Sequence, residues 1–239
     1  MTDAMDDNFR DMLVAAGKGI VGAVPIAGSG FAEGLGVVVK KQRLDRIVYY
    51  VRGLEARLKV VEESVRKKIF KNVDKIDFIE AGMYQSARAT THGRIDSILE
   101  IVSRGLAVDA TETIRRKRFL YLLAEIDDDE VAVLNAYGQS YMRPMNDRNG
   151  LDPWDKVNRP SRPHINSSNE EREQMQLYRM GEEKLLRLGL LEKIYNLRKG
   201  EEYPEFDKMK GEFKGQVRIS YLGRLLLKEM GIQIPFGED

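Results

Sequence analysis

The 239-residue chain has no cysteine, two histidines and one tryptophan. Without thiols it can form neither a disulfide nor a thiolate metal site, which suits a reducing cytosol. His92 and His164 lie far apart in sequence and away from clustered carboxylates, so no paired-imidazole metal spacing exists. Each reads as a surface or capping residue. There is no cysteine nucleophile and no G-x-S-x-G elbow. The acidic run Asp127 to Glu130 stands where a helix begins, and carboxylates placed there complement the helix dipole rather than converge on one ion. The expectation is therefore no enzyme, with no catalytic residue, metal or cofactor. Strong net charge is missing too: 39 Lys and Arg against 38 Asp and Glu leave +1. Any attraction to nucleic acid or anionic lipid must come from local clusters.

Long apolar runs are scarce, with one exception. Gly19 to Val39 reads GIVGAVPIAGSGFAEGLGVVV, twenty-one residues whose single charge is Glu33. As one helix it would be roughly 32 Å long, enough to cross a bilayer core. Gly30 and Gly34 are spaced for close helix packing in lipid, and Gly22 falls on nearly the same face. Pro25, Glu33 and Gly28-Ser29-Gly30 break such a span. Two short helices packed on the protein, and conditional membrane contact through Gly22, Pro25, Gly28, Gly30 and Gly34, both remain open readings. Neither Gly17-Lys18-Gly19 nor Gly28-Ser29-Gly30 completes a nucleotide-binding motif, because the required Ser or Thr and the third glycine are absent. The opening MTDAMDDNFRD carries four acids and one arginine, the reverse of a secretory leader. A cytoplasmic location with conditional membrane association is expected.

What is plentiful is helical pattern. Leu44, Ile47, Val51, Leu54, Leu58, Val61 and Val65 alternate steps of three and four, a heptad seam that predicts a helix over 42–71. Its partner is either another helix of this chain or a second copy. The stretch from Lys40 to Lys75 holds twelve Lys or Arg against five acids, and Lys40, Lys41, Arg43 and Arg46 follow the apolar segment directly. They form a candidate contact for an anionic surface, set against the ordinary reading of a solvated helix face. Further apolar stripes, Ile95 to Leu106, Phe119 to Ile126 and Val131 to Tyr137, predict a helical body. Together these divide the chain into an apolar segment (1–41) and a helical domain (42–138).

From Gln139 to Asn169 periodicity stops, and four of the seven prolines gather there with Trp154. The stretch reads as a linker over 139–169. Trp154 with Arg143, Arg148, Arg159 and Arg162 could stack on single-stranded nucleic acid, or Trp154 could pin the loop to the helical body. Residues 170–239 follow the order helix, strand, charged excursion, strand, helix, with Ser220 capping the last helix. This order and the phrases LLRLGLLE and VRISYLGRLLLKEM resemble winged-helix domains. That fold docks proteins as readily as DNA. Arg179, Lys184 and Arg187 suit DNA, but Glu170, Glu171, Glu173, Glu182 and Glu183 on the same helix oppose them. The expected fold is mainly α, with a small winged-helix-like α+β domain at the C-terminus.

The sequence of parts, with Gly19 to Val39, Arg43 to Ile47, Leu186 to Glu192 and Ile219 to Leu225, is similar to bacterial abortive-infection alpha-type proteins. The resemblance implies a role in phage defence, as a membrane-acting effector or its partner, and brings no catalytic residues. The leading expectation is thus a non-enzymatic effector or adaptor that associates with itself or a companion protein and acts on membrane through its N-terminus. A winged-helix nucleic-acid regulator and a structural subunit of a larger complex are the alternatives.

Overall fold

The computed structural model describes residues 31–140, 152–157, 159–161, 164–195, 202–208 and 211–235, with backbone alone at 31–40, 156 and 212. The fold is mainly helical, with a small α+β portion at the C-terminus. The helices are α1 (Phe31–Lys59), α2 (Glu63–Lys71), α3 (Val73–Arg88), α4 (His92–Leu106), α5 (Ala110–Glu125), α6 (Asp128–Ser140) and α7 (Asn169–Arg187), with a 3-10 turn at Pro153–Lys156. Strands β1 (Leu191–Ile194), β2 (Phe206–Asp207), β3 (Glu212–Phe213) and β4 (Gln216–Ile219) precede α8 (Tyr221–Glu229). None of the described helices is long and apolar enough to cross a membrane.

Two compact units divide the chain. The first runs to Ala124 and takes in Glu229–Gly231; the second holds Glu125–Lys228 and the stretch from Ile232. The division falls at Glu125, ahead of α6, rather than in the proline-rich stretch, because α6 packs on the 3-10 turn, α7 and β4.

The core of the first unit follows from the heptad stripe. Ile47, Val51, Leu54 and Leu58 are buried, as is Tyr50 beside them, and α1 packs on α3 and α4. This part of the seam is satisfied within the chain. The helix itself ends earlier than the periodicity predicts. Glu62 leaves helical geometry with ψ 138° and accepts a hydrogen bond from the Ser64 hydroxyl at 2.7 Å. Val61 is consequently half-buried beyond the end of α1, and Val65 lies exposed on α2, while Ile69 turns inward and is buried.

Glycines set how closely these helices approach. A Cβ on Gly82 of α3 would lie 2.5 Å from the Tyr50 hydroxyl and 2.8 Å from Val102 Cγ2. That hydroxyl is fixed, donating to the Ile79 carbonyl at 3.1 Å. Burial without ionic partners pushes the phenol of Tyr50 well above its ordinary value. A Cβ on Gly105 of α4 would press into the ring of the fully buried Phe78, 3.0 Å from its Cζ. A Cβ on Gly53 of α1 would lie 2.5 Å from one methyl of Leu99 and in ordinary contact with its other methyl and with Arg57 Nη1, all of them ends of side chains.

Packed so closely, the helices end against one another, and cations from other helices meet their final carbonyls. Arg46 on α1 donates to Ala87 at the end of α3, at 3.4 Å. Lys75 on α3 donates to Leu106 and Val108 at the end of α4, both at 2.8 Å. Arg94 on α4 donates to Leu123 near the end of α5. Each places positive charge where the helix dipole is negative and the last carbonyls lack partners.

Replacing an interior helical glycine by alanine gains roughly 1 kcal/mol of helix propensity, whereas overpacking a rigid core costs about 1–3 kcal/mol. Gly82→Ala and Gly105→Ala are therefore expected to lower stability by up to about 2 kcal/mol in urea unfolding. Gly53→Ala, facing a movable methyl, is expected to be neutral or stabilising.

Candidate docking surface

The second unit is built around α7. Ser168 and Glu171 form a reciprocal capping box at its start. At its end Gly189 takes φ 70°, its N–H donating to Leu186 and that of Leu190 to Leu185, at 3.0 and 2.9 Å. This Schellman turn needs a residue without Cβ strain at position 189 and directs the chain into β1. Strand β1 pairs antiparallel with β4, from Leu191 opposite Ile219 to Ile194 opposite Gln216. Between them lies a second hairpin, with Phe206 opposite Phe213 and Asp207 opposite Glu212. The Ser220 hydroxyl reaches the Gly189 and Leu190 carbonyls, at 2.5 and 3.0 Å, and accepts from Gly223 N–H at 3.0 Å. A Cβ on Gly223 would collide with the Leu190 backbone.

Helices α6 and α7 are locked by polar contacts. Asp127 and Glu130 form their own capping box, each side chain accepting the other's N–H at 2.8 and 2.9 Å. Glu130 is buried and also accepts from Lys184 Nζ at 2.9 Å. About two turns further along α6, the Tyr137 hydroxyl donates to Glu182 at 2.6 Å. The Tyr137 ring meets Trp154 edge-on at 5.0 Å, and Arg159 sits over the Trp154 ring at 5.1 Å. Trp154 thus pins its turn to α6. Burial first, then the Glu182 carboxylate, pushes the Tyr137 phenol above its ordinary value, and Tyr178 is raised for the same reasons in the same order. Arg159 opposes both shifts.

The opposite face of α7 is open. Glu173, Gln176, Leu177, Met180, Glu183 and Arg187 fall on it, all exposed. Leu177 is 64% and Met180 62% exposed, one turn apart. Of the three cations suited to DNA, Lys184 is occupied by Glu130, leaving Arg179 and Arg187 at the surface among acids. The hairpin adds a second apolar feature: Phe206 and Phe213 stack edge-on at 5.3 Å, Tyr195 lies 6.4 Å from Phe213, and all three are exposed. Each feature is apolar surface left open to solvent. Among the described residues no cluster of acids and histidines could hold a metal.

The residues singled out from the sequence fall elsewhere. Gly22, Pro25, Gly28 and Gly30 lie outside the described residues, as do Arg143, Arg148 and Arg162, whereas Gly34 lies in the first turns of α1. Lys40 is on α1, where only the backbone is described; Lys41 is exposed, Arg43 half-buried and Arg46 engaged with Ala87. Leu44 is half-buried at the edge of the stripe. His92 begins α4, exposed, with its ring 4.6 Å from that of Tyr49. The exposed pair Leu177 and Met180 escaped sequence reasoning because apolar residues at helical spacing ordinarily mark a core face. No protein-family model, curated protein or solved structure matches the chain.

Raised phenol values mean that the folded unit holds its tyrosine protons more tightly than the unfolded chain. The associated stability is complete below the unfolded value of about pH 10 and is lost as pH rises beyond it. Circular dichroism across the alkaline range should show this decline, and Tyr137→Phe should make it shallower.

Proposed function

We propose that the chain is a non-enzymatic adaptor or effector of the abortive-infection type, which holds a partner protein through the open face of α7. In this reading the glycine-rich N-terminal segment supplies its contact with membrane. The observation that carries the protein-docking part is the exposure of Leu177 and Met180 among Glu173 and Glu183 on a helix that a DNA-reading winged helix would make basic. Apolar groups flanked by acids suit a protein surface, and they repel a phosphate backbone. The resemblance of Leu186 to Glu192 and Ile219 to Leu225 to abortive-infection proteins supports the defence setting.

Phage challenge of a bacterial host producing the chain tests the reading. The unaltered chain should reduce plaque formation, and Leu177→Asp with Met180→Asp should restore it while the purified variant keeps its circular dichroism spectrum. Equal plating with and without the chain would contradict the defence reading. Protection that survives the double substitution would contradict the α7 surface. Salt-sensitive binding to duplex DNA would favour the regulator instead.

A further inference from the structure

Among the described residues of the first unit, the two most exposed large apolar ones, Val60 at 87% and Val73 at 79%, stand at either end of α2. Val65, on α2 itself, is exposed as well. Tight turns hold them there: Val61 N–H donates to Leu58 at 3.1 Å and Asn72 N–H to Ile69 at 3.2 Å. Buried Ile69 anchors α2, and the Asn72 side chain caps α3 by accepting from Lys75 N–H at 3.0 Å. The valines therefore stand exposed on and beside a short helix that tight turns hold at both ends, a braced corner of the first unit.

Between Lys59 and Lys75 stand six Lys or Arg and three acids. Lys59 pairs with Glu55 at 3.3 Å, Lys67 pairs with Glu63 at 2.7 Å, and Lys75 caps α4. Lys68 and Lys71 are exposed without an ion pair among the described residues, and half-buried Arg66 lies on the same short helix. The wider charge distribution agrees. Residues 1–124 hold 21 Lys or Arg against 16 acids, and the remainder 18 against 22.

We infer that this corner, Val60, Val65 and Val73 with Lys68 and Lys71, is a contact for an anionic phospholipid surface. Small aliphatic groups enter the headgroup boundary while lysines meet the phosphates and carboxylates around them. A nucleic-acid backbone would use the lysines and have no use for three exposed valines. The unpaired lysines beside the valines set this corner apart from Leu177 and Met180, which stand among acids. The corner shares no residue with the Gly19–Val39 segment, so the inference stands independently of the proposed function.

The test is flotation of the full chain with vesicles of phosphatidylcholine alone and of phosphatidylcholine with phosphatidylserine. Binding is expected only to the second, weakening with salt. Lys68→Gln with Lys71→Gln should reduce affinity on the order of thirtyfold, and Val60→Ser with Val73→Ser roughly tenfold. Thermal melts of both variants serve as folding controls, since every altered side chain is exposed. Gly30→Leu with Gly34→Leu separates the two candidate membrane contacts: vesicle binding that survives it and falls in the lysine variant supports the corner. Binding that falls in the glycine variant and is untouched in the lysine variant overturns it. Failure of the full chain to float, or binding of single-stranded RNA in place of vesicles, overturns it as well.

Discussion

The distance between α1, α3 and α4 is fixed by two places where a large buried side chain meets a glycine: Tyr50 against Gly82 and Phe78 against Gly105. The apolar stripe of α1 from Ile47 to Leu58 can be covered within the chain only because α3 and α4 approach so closely. A stripe covered in this way is not available to a second copy. The surfaces left for partners therefore lie outside the buried stretch from Ile47 to Leu58, as the α2 corner and the open face of α7 do.

Close packing also accounts for the fate of much of the positive charge. Helices ending against one another leave carbonyls that water reaches poorly, and Arg46, Lys75 and Arg94 are drawn to them. Lys75 illustrates the cost: partial burial holds its amine below the ordinary lysine value, with Asp109 working against that shift. In the second unit Lys184 is likewise committed to Glu130. Counting cations along the sequence thus overstates the basic surface. Lys68 and Lys71 matter because they remain outside these internal uses.

Much of this was legible in the sequence where one physical pattern dominates. Heptad spacing marked the buried face of α1 as far as Leu58, the order of helix, strand, charged excursion, strand and helix marked the C-terminal α+β portion, and the acids at 127–130 marked the start of α6. The phrases that suggested a winged helix have a structural cause: Gly189-Leu190 and Ser220 to Gly223 are the two sides of one backbone contact. The end of α1 was not legible, because Val61 and Val65 continue the seam while the backbone leaves helical geometry by Glu62. Nor was the allegiance of α6, whose apolar residues look alike whichever unit they pack against. Gly82 and Gly105 carry no periodic signal at all; their role exists only once Tyr50 and Phe78 are placed against them.

Hydrogen exchange across Ile47 to Leu58, measured over a wide range of protein concentration, tests most directly whether the α1 seam is closed within one chain. The packing described here requires strong protection that does not change with concentration. Protection that grows as the protein is concentrated would mean that a second copy covers the stripe, and would contradict the account.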